Sequence, residues 1–260
     1  EEEEAAGGDF LKLRRIIYQS LQQACMQGRL ITPPPAMNYG WNVDLITKAN
    51  KSYEEQMEAK RAEDSASGTD TGLAEHMSTG HKNFLRNAVY FLYVYNRKAE
   101  AAKWYKYMID LYPKSIPVPD LTLDEYCVSR VQEDAGETDH NQTKAVIAGL
   151  LMQAFQFAAV GEDDQVVGHK ALAIQLRNRF QREIGKSTNR VGLPPFEELE
   201  KQALDDLFRP ASPYLPTSVL EQLRIALELP QDYGKDLEPY ALPSPIPRSS
   251  HRGSSPLQLP

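Results

Sequence analysis

The chain has only two cysteines among its 260 residues, and it lacks a long apolar run. Cys25 and Cys127 fit neither a metal site nor a CxxC redox motif, so buried free thiols are favoured, although export would allow a disulfide. The longest apolar stretch, residues 145–160, is too short to span a membrane and is interrupted by Gln153 and Gln156. This stretch predicts a helix buried inside a bundle.

Sequence motifs of catalysis are missing as well. The chain has no GxSxG motif, no phosphate-binding loop and no GxGxxG fingerprint. His76 and His81 are five residues apart, whereas metal-binding pairs on helices prefer offsets of three or four. We therefore expect no cofactor, no metal and no catalytic residue. A helical enzyme built from distant residues such as His140 or His169 stays an alternative, because acid–base sites need no local motif.

Positive charge is also in short supply, since 29 basic residues stand against 36 acidic ones and the net charge is −7. This balance disfavours wholesale phosphate binding, so no nucleic acid partner is expected. A cytoplasmic location is favoured. The start at Glu1 instead of Met predicts a fragment or a processed product, so the absence of a signal peptide proves nothing about targeting.

Apolar residues recur at helical spacing through most of the chain, which predicts an all-α fold. Prolines, glycines and polar runs divide it into segments. The first helix should turn Ile16, Ile17 and Leu21 inward. The segments are a disordered start at 1–9, a helical pair with a proline-rich connection at 10–62, a flexible loop at 63–80, a helical domain at 81–230 and a disordered tail at 231–260.

No segment shows convincing strand alternation. Residues 90–95, YFLYVY, have a high strand propensity when taken alone. Leu85, Ala88, Val89 and Leu92 around them lie at helical spacing, and this longer pattern favours a helix.

The most specific pattern in the chain lies in residues 82–115. Two groups of apolar residues occupy the core positions of two antiparallel helices, a left-handed turn residue separates them and a proline ends the unit. The pattern resembles a tetratricopeptide repeat, a helix–turn–helix unit of about 34 residues. The residues that carry the resemblance are Leu85, Ala88, Val89 and Leu92, then Asn96, then Ala101, Tyr105 and Met108, then Pro113.

Residues 147–180 look like a weaker second copy, with Gly161 at the turn position. Residues 14–57 form a third helix pair, but its proline-rich connection departs from the family pattern. Stacked repeats normally need at least three units to bury their faces. Either the irregular helices cap the stack or further repeats lie upstream of Glu1.

The resemblance implies a partner-binding surface, because the first helix of each pair lines the concave face in this family. Tyrosine and arginine also dominate binding hot spots. Arg86 suits the clamping of a partner's carboxylate, although Tyr90 stands where the family has asparagine. The alternative is that Tyr90, Tyr93 and Tyr95 pack against a neighbouring helix. The implied partner-binding residues are Asn83, Arg86, Tyr90, Tyr93, Val94 and Arg97.

These patterns together predict a soluble, non-catalytic interaction or scaffold domain that belongs to a longer protein. It would bind a peptide or a helical protein on a concave face like that of the repeats, with self-association open and no membrane span. The first alternative is an oligomerisation or docking segment whose tyrosines are buried in a larger assembly. The helical enzyme domain is the second alternative.

Overall fold

A computed structural model shows a mostly helical chain, which confirms the all-α prediction. No helix in the described ranges is both long enough and apolar enough to cross a membrane. The structure describes residues 16–32, 38–68, 72–113, 121–135, 140–184 and 192–239. Residues 1–9, predicted to be disordered, lie outside these ranges.

The described residues form nine α-helices and one pair of antiparallel strands. The strands are β1 (Arg29–Thr32) and β2 (Asn38–Gly40), and a short 3-10 turn follows at Val43–Leu45. The helices are α1 (16–26), α2 (Ile46–Ser67), α3 (Leu73–Val94), α4 (Lys98–Leu111), α5 (Leu123–Ala135), α6 (His140–Ala159), α7 (Asp163–Ile184), α8 (Phe196–Phe208) and α9 (Thr217–Ala226).

The connection between α1 and α2 contains a β-hairpin, where the sequence analysis found no strand. Arg29 of β1 pairs with Gly40 of β2. Trp41 follows directly, is buried, and stacks on Phe91 of α3 with the ring centroids 4.7 Å apart. The prediction was wrong because strands of four and three residues are too short to show alternation, and tertiary packing decides strand formation more than local propensity does. Prolines 33–35 lie outside the described residues.

The inward face of α1 differs from the predicted stripe. Ile16 and Ile17 are exposed, whereas Tyr18 and Cys25 are buried. Tyr18 packs on Tyr53 of α2 with the ring centroids 4.8 Å apart. The spacing of the isoleucines did not predict the buried side of α1, because the contact between Tyr18 and Tyr53 determines which side of α1 meets the bundle.

The predicted flexible loop at 63–80 is mainly helical. Helices α2 and α3 both extend into it, and only residues 68–72 lie between them. Gly68 ends α2 in the left-handed conformation, with φ 67°. The small polar residues misled the prediction because they tolerate a helix once packing stabilises it, and buried Met77 and His81 supply that packing for α3.

The central hairpin of α3 and α4 agrees with the sequence. Residues 90–94 are helical, so the helical spacing outweighed their strand propensity. Ala88 and Ala101 have no exposed surface, which lets the two helices approach closely. Asn96 takes the left-handed conformation at the turn, with φ 61°, as its position predicted.

The α6–α7 hairpin repeats the turn geometry of α3–α4. Gly161 is left-handed with φ 74°. The N–H of Glu162 donates to the Phe157 carbonyl at 3.0 Å, just as the N–H of Arg97 donates to the Leu92 carbonyl at 2.9 Å. The two hairpins meet through α3 and α7, and α5 packs against both of these helices. Their equivalence as successive repeats stays a prediction.

Helix α6 lies in the middle of the C-terminal half, as its apolar composition predicted. It packs against α5, α7, α8 and α9. Ile147, Leu151 and Ala154 have no exposed surface. Both cysteines, Cys25 and Cys127, are free thiols and fully buried, and burial raises the pKa of each.

The predicted disordered tail begins too early. Residues 231–236 form turns, and Gly234 lies directly against Phe208 at the end of α8. Tyr233 donates a hydrogen bond to Asp205 at 2.6 Å and stacks edge-on against Phe208. The proline-rich and charged composition concealed this single aromatic anchor. The rest of the predicted tail, residues 240–260, lies outside the described residues.

Candidate functional site

The predicted partner-binding face of α3 is open only along its N-terminal part. Asn83 is exposed, and Arg86 and Tyr90 are half-buried. These three side chains lie on one side of the helix because their spacing of three and four residues matches the helical repeat. They are the part of the predicted face that a partner can reach.

The C-terminal part of the same face is covered by α5 and α7, which corrects the prediction for Tyr93 and Val94. Both residues have 0% exposed surface. The Tyr93 hydroxyl donates to Asp124 of α5 at 2.5 Å and lies 2.8 Å from the side-chain amide of Gln175 on α7. Gly168 of α7 packs directly on the backbone of Val94. Helical spacing could show that this face was apolar, but not which helix would cover it.

Arg97 lies apart from the other predicted residues, at the turn between α3 and α4. Its guanidinium donates to Glu100 at 2.6 Å and to Asp44, from the 3-10 turn, at 2.5 Å. Both contacts raise the pKa of Arg97, and the contact with Glu100 has the larger effect. Arg97 therefore belongs to a different surface from Arg86.

Arg86 has a second arginine beside it, contributed by α5. Arg86 Nη2 donates to Glu133 Oε2 at 2.5 Å, and Arg130 Nη1 lies 3.6 Å from the same oxygen. Arg130 also donates to Asn87 Oδ1 at 3.2 Å. We refer to Arg86, Arg130 and Glu133 as the arginine cluster.

The guanidinium groups of the arginine cluster are partly buried. Two guanidinium groups face one carboxylate, and their side chains are only 23% and 19% exposed, for Arg86 and Arg130. The Nε of Arg86 is buried and makes no hydrogen bond. Tyr126 packs beside Arg86. Burial raises the pKa of Tyr126 to about 12, although the positive charge of Arg86 acts to lower it. An arginine presents five N–H groups in a fork that fits a carboxylate, so the cluster can accept a further anion.

Sequence reasoning missed Arg130 and Glu133 because they lie on a helix outside the recognised hairpin. Their contacts with α3 join residues 43 and 47 positions apart in the chain. The only local signal was the spacing of three between Arg130 and Glu133, which is also the spacing of an ordinary surface ion pair.

A second concave surface, the turn cleft, lies where the β-hairpin, the α3–α4 turn and the start of α7 meet. It has a volume of about 720 Å³. Three contacts tie its rims together: Arg29 with Glu162, Arg97 with Asp44, and the Asn96 amide with Asp164 at 3.1 Å. Its lining residues are Arg29, Trp41, Asn42, Val43, Asp44, Tyr95, Arg97 and residues 161–165.

The buried histidines have structural partners. His81 lies between Asn50 Oδ1, 2.7 Å from Nε2, and the Tyr112 hydroxyl, 2.8 Å from Nδ1. Burial lowers the pKa of His81 to about 4. His169 donates from Nδ1 to the Gln165 carbonyl at 2.7 Å, and burial lowers its pKa too. Neither histidine lines the turn cleft, and the described residues contain no group of three potential metal ligands.

Comparison with known proteins gives no relative from which a function can be transferred. No protein family, curated protein or solved structure matches the chain. The functional argument therefore depends on the geometry of the arginine cluster and the turn cleft.

Proposed function

We propose that this chain is a non-catalytic protein-interaction domain that binds an acidic segment of a partner protein at the arginine cluster. The observation that carries the proposal is the sharing of one carboxylate by two partly buried guanidinium groups. It places two guanidinium groups side by side, next to the exposed Asn83 and the half-buried Asn87. Such a site suits a carboxylate flanked by peptide amides.

The existing contacts can be exchanged for those of an incoming carboxylate. Arg86 makes no hydrogen bond through its Nε, and its contact with Glu133 is to a single carboxylate oxygen. Glu133 itself is 38% exposed, so it can move toward solvent without losing a buried position. Each hydrogen bond between a guanidinium and a carboxylate contributes about 1.5–3 kcal/mol, which corresponds to roughly tenfold or more in affinity.

The helical hairpins support a scaffold of the tetratricopeptide kind. Helices α3–α4 and α6–α7 share the same turn geometry, and α3 is the first helix of its pair. The accessible part of the binding face predicted from that resemblance is the part beside the arginine cluster. Tyr90 extends this surface with a half-buried aromatic ring.

Selection from a display library of random peptides tests the proposal. We expect the peptides captured by the wild-type chain to be rich in Asp and Glu. Replacing Arg86 and Arg130 together by Gln should weaken their binding by about tenfold or more, because the charge-assisted contacts are lost. The control is Arg179→Gln, which removes an arginine of similar exposure, 34%, from α7.

Two outcomes would contradict the proposal. One is a set of captured peptides with no acidic enrichment, and the other is equal loss of binding in the Arg179→Gln control. Sedimentation at rising concentration tests the docking-segment alternative, which requires the mass of the chain to increase. The docking-segment alternative would bury its tyrosines in an assembly. Tyr93 and Tyr95 are already buried by the chain's own helices.

A further inference from the structure

The turn cleft contains polar groups without partners, and the proposed function does not use them. Gln165 is only 6% exposed and lines the cleft, yet its side-chain amide has no hydrogen-bond partner among the described residues. The same is true of the half-buried Asn42, whose amide does not cap the adjoining 3-10 turn. Both side-chain amides are therefore available to a ligand that donates and accepts hydrogen bonds.

The cleft also has an excess of negative charge. Two guanidinium groups and four carboxylates line it, which gives a net charge of 2 − 4 = −2. Both guanidinium groups are already engaged, one with Glu162 and one with Asp44. Asp163 is exposed and has no ion-pair or hydrogen-bond partner within the described part of the chain. The N-terminal dipole of α7 offsets part of this charge, but a free carboxylate beside paired ones favours a cation.

We infer that the turn cleft binds an extended peptide segment that carries a lysine or arginine side chain. The amides of Gln165 and Asn42 pair with the N–H and C=O groups of the peptide, and Asp163 attracts its cation. The volume of about 720 Å³ lies within the range of roughly 300–1,000 Å³ typical of binding pockets. Trp41 and Tyr95 form part of the floor of the cleft beside these polar groups.

The test is a titration of the isotope-labelled full chain followed by NMR, with acetyl-Ala-Lys-Ala-amide as the probe. We expect the side-chain amide signals of Gln165 and Asn42 to shift, because they contact the peptide directly. The neutral control replaces lysine by norleucine and should shift them much less. Unmoved amide signals, or equal binding of the norleucine peptide, would overturn the inference. Equal binding of n-butylammonium would overturn its peptide part, since that ion lacks amides.

Variants locate the charge that the peptide recognises. Asp163→Asn should weaken binding of the lysine peptide by about fivefold, the upper range for an exposed ion pair. Glu197→Gln is the matched control, because Glu197 is an exposed acid in the first turn of α8, outside the cleft. Unchanged affinity in Asp163→Asn would contradict the assigned role of this carboxylate. The Arg86→Gln, Arg130→Gln variant should bind the lysine peptide normally, so this site is tested separately from the arginine cluster.

Discussion

Helix α7 crosses the end of α3 at Gly168, and the close approach of the two backbones there requires a glycine. A Cβ atom added to Gly168 would lie 2.2 Å from the Val94 carbonyl oxygen, 2.6 Å from its carbon and 3.0 Å from the Asn96 nitrogen. All three are backbone atoms, so no side chain can rotate away. Ordinary contact begins at 3.4 Å, and Gly168→Ala must therefore separate the two backbones by about 1 Å.

The magnitude follows from two opposing effects. Overpacking of this kind costs typically about 1–3 kcal/mol. Replacing glycine by alanine inside a helix contributes about 0.5–1 kcal/mol in the other direction, because the unfolded chain loses conformational freedom. We expect Gly168→Ala to lower the free energy of unfolding by about 1–2 kcal/mol. Separation of α7 from α3 would also loosen the α3–α4 turn and so the rim of the turn cleft.

Gly149 provides the matched control for this substitution. It lies within α6, is exposed, and has no atom within 4 Å of an added Cβ. Gly149→Ala should therefore raise the free energy of unfolding by about 0.5–1 kcal/mol, from helix propensity alone. Urea denaturation followed by far-ultraviolet circular dichroism measures both variants. Equal stability of the two, or a Gly168→Ala variant as stable as the wild type, would refute the packing argument.

Three further predictions concern single residues. The free energy of unfolding should fall by up to about 3 kcal/mol as the pH falls from 6.5 to 4, because over this range the unfolded chain protonates His81 and the folded chain does not. Urea denaturation at stepped pH measures this fall, and a variant of the exposed His76, His76→Gln, is the control. Asn96→Ala should lower the free energy of unfolding by about 1–2 kcal/mol through left-handed strain, and Asn96→Gly by less, in thermal melts. Thr122→Ala should cost about 1 kcal/mol, because the reciprocal Thr122–Glu125 cap of α5 is lost, and Thr122→Ser should restore it in the same melts.

The features that the sequence predicted well are those encoded by neighbouring residues. The α3–α4 hairpin follows from apolar spacing, and its turn from a residue that tolerates positive φ, Asn96. Gly161 was recognised at the equivalent turn for the same reason. Each of these signals fits within a few residues of chain.

The features that escaped prediction depend on residues far apart. The β-hairpin stays in place because Trp41 packs on α3, which its two short strands do not reveal. Tyr93 and Val94 have the spacing of a binding face, but α5 and α7 bury them. Arg130 completes the cluster around Arg86 from another helix. In each case the deciding contact is tertiary, and periodicity reports only that a face is apolar or polar.

The arginine cluster is built on α3 and α5, whereas the acidic turn cleft lies beyond the C-terminal end of α3. Arg86 lies eight positions before Val94, the last residue of α3, which corresponds to about 12 Å along the helix axis at 1.5 Å per residue, and the turn cleft lies beyond Val94. At physiological salt the Debye length is about 8 Å, so the charges at one surface are largely screened at the other. An acidic segment at the cluster therefore does not neutralise the carboxylates of the cleft. The packing of Gly168 on Val94 holds α7 against the end of α3, between the two surfaces. Under the two proposals, one chain would hold an acidic and a basic segment at the same time.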